Sequence, residues 1–164
     1  MSRAVQHVWK IVVAAKTRAK ERIERELADA RRHHAALIDA TEQANEALEA
    51  AQSRRLAHEE KMTQLLSSPN GLSPVVYLDH DRFRAPLGQA VDEARTAVRR
   101  AVEAAEAQRE AVEQLGKAVR RADASLEAAR EQLNRSIKAA ERRVEERNDE
   151  EAGETAAARI HRGA

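Results

Sequence analysis

The chain has 164 residues, 35% of them charged and 2% aromatic, and its 29 basic and 28 acidic residues leave a net charge of +1. That balance argues against a generic nucleic-acid binder, which needs a surplus of phosphate-neutralising cations, and one Trp, one Tyr and one Phe are too few for a compact core of ordinary thickness. With no cysteine, disulfides and thiolate metal sites are excluded as well, which fits a reducing compartment.

The remainder is rich in alanine, glutamate and arginine, the composition of coiled coils and long helices. Residues 1–20 hold Arg3, Lys10, Lys16, Arg18 and Lys20 and no acid. A basic, acid-poor start is compatible with a transit peptide; the commoner cause is a helix whose basic end meets an acidic partner. The apolar patch Val8–Ala15 is interrupted by Lys10 and is too short for a signal peptide or a membrane span. No membrane insertion is expected.

The first arm runs over about residues 3–66, and Ser2 is placed to cap its start. Apolar or small residues recur at Val5, Val8, Val12, Ala15, Ala19, Ile23, Leu27, Ala30, His34, Leu37, Thr41, Ala44, Leu48 and Ala51. Steps alternating three and four keep one stripe facing a partner helix. The consecutive four-residue steps Ala19–Ile23–Leu27 read as a stutter, where a supercoil unwinds locally. Beyond Ala51 the phase slips again to reach Leu56, Met62 and Leu66. Trp9 lies beside the stripe, half-packed on the second arm. His33 and His34 are adjacent, so on a helix they point about 100° apart and cannot chelate one metal together; His34 reads as a seam-edge residue and His33 as solvated.

Residues 67–86, SSPNGLSPVVYLDHDRFRAP, hold all three prolines, the only tyrosine and the only phenylalanine. A breaker cluster between two helix-forming arms predicts a hairpin. The stretch admits two geometries. In one, Ser73 caps a helix with Pro74 at its first position; the turn is then 67–73, and a lead-in helix over 74–84 is kinked at Pro86. In the other, all of 67–86 is an irregular loop. The spacing of Val76, His80, Phe83 and Leu87 favours the lead-in helix. Val75, Val76, Tyr77, Leu78 and Phe83 gather where only two helices exist to cover them, so they either plug the end of the hairpin or present an interaction site.

In the second arm the repeat is cleaner. Val91, Ala94, Val98, Ala101, Ala105, Gln108, Val112, Leu115, Val119, Ala122, Leu126, Ala129 and Leu133 follow strict three–four steps over six heptads, the signature of a coiled coil. Alanines at 90, 97, 104, 111 and 118 flank the seam and would allow close approach of two backbones. Gln108 is the polar interruption that fixes register. The helix continues through Ile137, Ala140 and Val144 to about residue 150, and residues 152–164 are expected to be a frayed, flexible tail. Glu145, Glu146, Asp149, Glu150 and Glu151 place acid at a helix C-terminus, and the first arm places base at an N-terminus. Both oppose the macrodipole, and antiparallel pairing would let the two offset each other.

No chemistry is indicated. Gly116-Lys117 lacks the rest of a P-loop, two helices form no pocket in which carboxylates could converge, and Asp79, His80 and Asp81 are consecutive. No enzyme activity, cofactor or metal is expected. The fold expected is all-α: a long, two-helix antiparallel coiled-coil hairpin over 1–151, with a flexible tail.

A hairpin of this length and composition, with a basic first helix and the bend LSPVVYLDHDRFR, resembles the stalk proteins of bacterial type III secretion, the FliJ/YscO family, and most closely its Hrp-type branch. The resemblance implies an antiparallel coiled coil similar to the central stalk of rotary ATPases, located in the cytoplasm at the cytosolic face of the inner-membrane export apparatus. It also implies partners: the hexameric export ATPase at the end carrying both termini, and the export-gate protein or secretion chaperones. On this sequence the ATPase side would comprise about 1–25 with 135–151, with Trp9, Lys10, Lys16, Arg18, Lys20, Arg142 and Arg143 as contacts. Tyr77, Leu78, Arg82 and Phe83 would meet the other partner at the bend. A generic coiled-coil scaffold or dimerisation module is the alternative.

Overall fold

Three helices account for nearly all of the chain: α1, Ser2–Leu66; α2, Pro74–Asp81; and α3, Arg84–Arg162. The computed structural model describes residues 2–162, and side chains from Ala4 onward; the expected Ser2 cap lies outside the described side chains. Among the described residues there is no strand, and the chain is an all-α helical hairpin. It divides into two compact units, Met1–Glu26 with Leu115–Ala164, and Leu27–Gln114.

The bend unit, Leu27–Gln114, is a hairpin in itself. Its turn is built by Ser68-Pro69-Asn70-Gly71, closed by the Gly71 amide donating to the Ser68 carbonyl at 3.0 Å. Proline at the second position presets φ, and Gly71 takes a φ of +71°, which a side chain would resist. Ser73 then occupies the N-cap of α2 with extended backbone (φ −61°, ψ 135°) and Pro74 follows at the first helical position. The expected position of the cap holds, but the Ser73 hydroxyl makes no capping bond; the Ser73 carbonyl accepts the first helical bond, from Tyr77 N–H at 2.9 Å.

The lead-in helix is shorter than expected, ending at Asp81 rather than 84. The chain breaks at Arg82–Phe83, and Pro86 lies inside the first turn of α3. The cause is the ring of Pro86, which removes the amide that would bond the Arg82 carbonyl and clashes with that carbonyl. The interruption therefore falls one turn before the proline.

The covered positions of the bend unit follow one repeat. On α1 they are Leu27, Ala30, His34, Leu37, Thr41, Ala44, Leu48, Ala51, His58, Met62 and Leu65. On α3 every seam position expected from Val91 to Gln108 is buried or half-buried, Val91 most completely, at 1% exposure. The phase slip expected beyond Ala51 does not occur. Leu56 and Leu66 are 56% and 58% exposed, and the seam keeps three–four steps through His58 to Met62, with only Arg55 turned to solvent. Gln108 Nε2 donates to the Ala30 carbonyl across the pair at 3.1 Å, the role expected of a seam amide. Of the alanine flanks in this unit, Ala90 is half-buried, whereas Ala97, Ala104 and Ala111 are exposed, so close backbone approach is not general along the arm.

In the terminal unit the first turns of α1 run antiparallel to α3. Gln6 Nε2 donates to the Ser136 carbonyl at 3.3 Å, Lys16 Nζ to Ser125 Oγ at 2.5 Å, and Lys20 pairs with Asp123 at 2.5 Å. On α3 the core of this unit is Leu126 and Ala129, each 3% exposed. Here the seam of α1 differs from expectation. The half-buried positions are Gln6, Trp9, Val12, Val13, Lys16, Thr17, Ala19, Lys20 and Ile23, while Val5, Val8 and Ala15 are exposed. The expected Val12, Ala19 and Ile23 are thus covered, together with polar neighbours that the apolar count left out.

Past Ala140 the cover that α1 gives α3 falls away, with Gln6 still sharing one depression with Glu141, Val144 and Glu145. Every residue from Glu141 to Arg162 is exposed and helical, a stretch of about 30 Å at 1.5 Å per residue. Of the tail expected to fray from 152, the described residues 152–162 are helix. Gly153 costs a helix about 1 kcal/mol relative to alanine, and the surrounding Ala152, Ala156, Ala157 and Ala158 offset it. Two further expectations change with this. None of the acids at 145–151 pairs with an α1 base among the described residues. They are also no longer at a helix end; the last turn carries Arg159, His161 and Arg162, the sign the macrodipole favours.

Candidate interaction surfaces

At the bend, α2 turns Tyr77, His80 and Asp81 inward and Val75 and Leu78 outward. His58 fixes this orientation: its Nε2–H donates to the His80 carbonyl at 2.9 Å, an oxygen that also accepts from Phe83 N–H at 3.1 Å. Its ring meets Phe83 edge-on, with centroids 6.5 Å apart. Arg82 lies over the opposite partner of this contact, its guanidinium 5.0 Å from the Phe83 centroid, and is held by Asp79 at 3.2 Å. Arg84 lies 3.1 Å from Asp81 Oδ1, yet that oxygen accepts no hydrogen bond; the contact is an ion pair without alignment. Every charge on this surface therefore has an opposite neighbour. What remains exposed is apolar: Val75 at 75%, Leu78 at 64% and Phe83 at 46%.

Of the four bend residues singled out from sequence, Leu78, Arg82 and Phe83 share this exposed surface, whereas Tyr77 is half-buried. Val76, which the spacing puts on one helical face with His80 and Phe83, is 41% exposed. Val75, grouped with these residues as apolar but not assigned to a partner, is the most exposed of the cluster at 75%.

At the terminal unit the seven residues singled out separate into two groups. Trp9, Lys16 and Lys20 are half-buried toward α3, and both lysines are engaged within the chain. Asp123, with a smaller contribution from Glu24 at 3.4 Å, holds the Lys20 ammonium above its usual pKa. Lys10, Arg18, Arg142 and Arg143 are exposed. The surface that sequence reasoning missed is apolar: Val8 and Ile11, 56% and 55% exposed, on the side of α1 away from the pair.

Neither unit carries a constellation for chemistry that the described residues reveal. No group of three or more His, Asp or Glu among them is placed to hold a metal ion. Depressions such as that lined by Ala85, Gly88, Gln89 and Asp92 follow one face of a single helix. Among the described residues no helix is long and apolar enough to cross a membrane.

Comparison with known proteins matches residues 4–160 to the model of one family, bacterial type III secretion protein HrpB7. No curated protein and no solved structure matches the chain. The match spans nearly the whole hairpin, bend and both arms included, and the Hrp-type resemblance drawn from the bend agrees with it. The chain belongs to the HrpB7 family of bacterial type III secretion proteins.

Proposed function

We propose that this chain is the central-stalk or adaptor protein of its secretion system. It binds the hexameric export ATPase through the terminal unit, couples it through the bend to the export gate or to substrate chaperones, and works at the cytosolic face of the inner membrane. The observation that carries this reading is that each unit presents an exposed apolar surface set among charges, Val8 with Ile11 in one and Val75, Leu78 and Phe83 in the other. Contiguous exposed apolar surface marks sites of interaction. Two such surfaces in separate units suit a protein that holds two partners, and the antiparallel helices suit the stalk-like form of the FliJ/YscO proteins it resembles.

The test is enzymatic, on the partner. Purified full-length chain is expected to raise the turnover of the hexameric export ATPase of the same secretion system, and a chain lacking residues 1–20 to raise it little or not at all. Equal stimulation by the truncated chain would overturn the assignment of the terminal unit. A generic scaffold, the alternative reading, predicts no stimulation by either.

A further inference from the structure

Little holds α2 to the arms of the bend unit. It has eight residues, none of them buried, and a helix that short is marginal in water without a surface to pack on. Each of its ends is a joint: the Ser68–Gly71 turn with extended Ser73 before it, and the interruption at Arg82–Phe83 after it. Its ion pairs, Arg82 with Asp79 and Arg84 with Asp81, join near neighbours in sequence and so tie it to nothing else. The side-chain bond that reaches it from α1 is that of His58 Nε2 to the His80 carbonyl at 2.9 Å, with the edge of the same ring on Phe83. The docked position also carries a cost, because Asp81 Oδ1 is shielded from solvent without accepting a hydrogen bond. What docking covers is Met62, 4% exposed. Met62 stands one turn beyond His58 on α1, and half-buried Tyr77 one turn before His80 on α2, so the reversal of the chain sets the two at one level.

We infer that α2 is a latch and His58 its catch. The helix swings off α1 while the paired arms stay folded, as segments with few buried apolar contacts open ahead of the whole. The closed state presents Val75, Leu78 and Phe83; the open state adds Tyr77 and Met62 to the same surface. A partner whose site takes Tyr77 together with Leu78 and Phe83 must therefore draw the latch open. Its apparent affinity is then lowered in proportion to the fraction of chains that are open. The latch is a property of this chain alone and does not depend on which partner the bend meets.

Two rates measured on the full-length chain without a partner read the opening: hydrogen exchange of the α2 amides, Tyr77 to Arg82, and oxidation of Met62 by dilute peroxide, both followed by mass spectrometry. In wild type the α2 amides are expected to exchange about a hundredfold faster than those of the α3 seam from Val98 to Leu115, with Met62 oxidised faster than unfolding of the arms allows. His58→Ala should raise both rates about tenfold, the factor for loss of one hydrogen bond, and leave exchange over Val98–Leu115 unchanged. His58→Gln keeps a donor near the place of Nε2 without the ring and should fall between. If His58→Ala unfolds the arms, His58→Gln and the wild-type comparison still decide. Equal protection of α2 and the α3 seam in wild type would overturn the latch, since α2 would then open only with the whole pair. Fast exchange of α2 with Met62 still protected from peroxide would mean fraying in place and would overturn it too. Rates unchanged in both His58 variants would overturn His58 as the catch.

Discussion

Leu126 and Val102 show how much the seam decides at the scale of one residue. Both are aliphatic residues of α3, yet Leu126 is 3% exposed and Val102 44%. Leu126→Ala should cost about 2–3 kcal/mol, the lower part of the range for buried leucines because a two-helix seam is thin, and Val102→Ala less than about 0.5 kcal/mol; chemical denaturation measures both. Lys20 gives a second test. Its pKa is raised by Asp123 and Glu24, so its contribution to stability is complete below the ordinary lysine value and is lost as pH rises through the raised one. Lys20→Met should therefore lower the melting temperature by a small, constant amount across neutral pH, and the difference from wild type should close in the strongly alkaline range. A difference that instead grows with alkaline pH would contradict the pairing. Polar seam residues of this kind are also what hid the repeat from the sequence. Gln6, Lys16 and Lys20 near the start of α1, and His58 near its end, keep the register while breaking the apolar count. Near the end of α1 they produced a phase slip that the helix does not have. In α3, where only Gln108 interrupts the repeat, all of the positions from Val91 to Leu133 were legible.

Elements were legible where a breaker or a stripe marks them and illegible where neither does. The turn at Ser68–Gly71 and the start of α2 at Pro74 follow from proline, asparagine and glycine in the order that a turn requires. The end of α2 was misplaced because Pro86 acts on the carbonyl four residues before it. At the far end of α3, the apolar stripe fades after Val144, and that was taken for the end of the helix. The stripe fades because nothing packs there; alanine-rich sequence holds the helix regardless. Removal of residues 149–164 should accordingly leave the melting temperature of the chain within about 1 °C, given that surface positions contribute little to stability, and reduce the helical ellipticity only by the share of those residues. A substantial loss of stability would mean that the extension packs against the pair. For α2 the important feature is its clamp. His58 holds the His80 carbonyl and the edge of Phe83, which leaves Val75 and Leu78 outward, and no motif in the sequence announces a bond between residues 58 and 80.

For the molecule as a whole, composition pointed to surfaces rather than to chemistry. A chain with 35% charge and 2% aromatics has little material for an enclosed pocket, which turns attention to what its helices leave uncovered. The two candidate surfaces were legible to different degrees. The bend stood out because prolines and aromatics concentrate there, whereas the apolar pair on α1 emerged only once the seam showed Val8 and Ile11 facing away from α3. Basic residues had drawn attention to this segment, and two of them, Lys16 and Lys20, are engaged within the chain. The division of labour between the surfaces can be read from export-ATPase turnover, titrated in parallel with wild-type chain, Val8→Glu/Ile11→Glu and Val75→Asp/Leu78→Asp. Wild type and the bend variant should stimulate alike, while the α1 variant should need about a hundredfold more protein. Stimulation that survives in the α1 variant and disappears in the bend variant would contradict the assignment of the two surfaces.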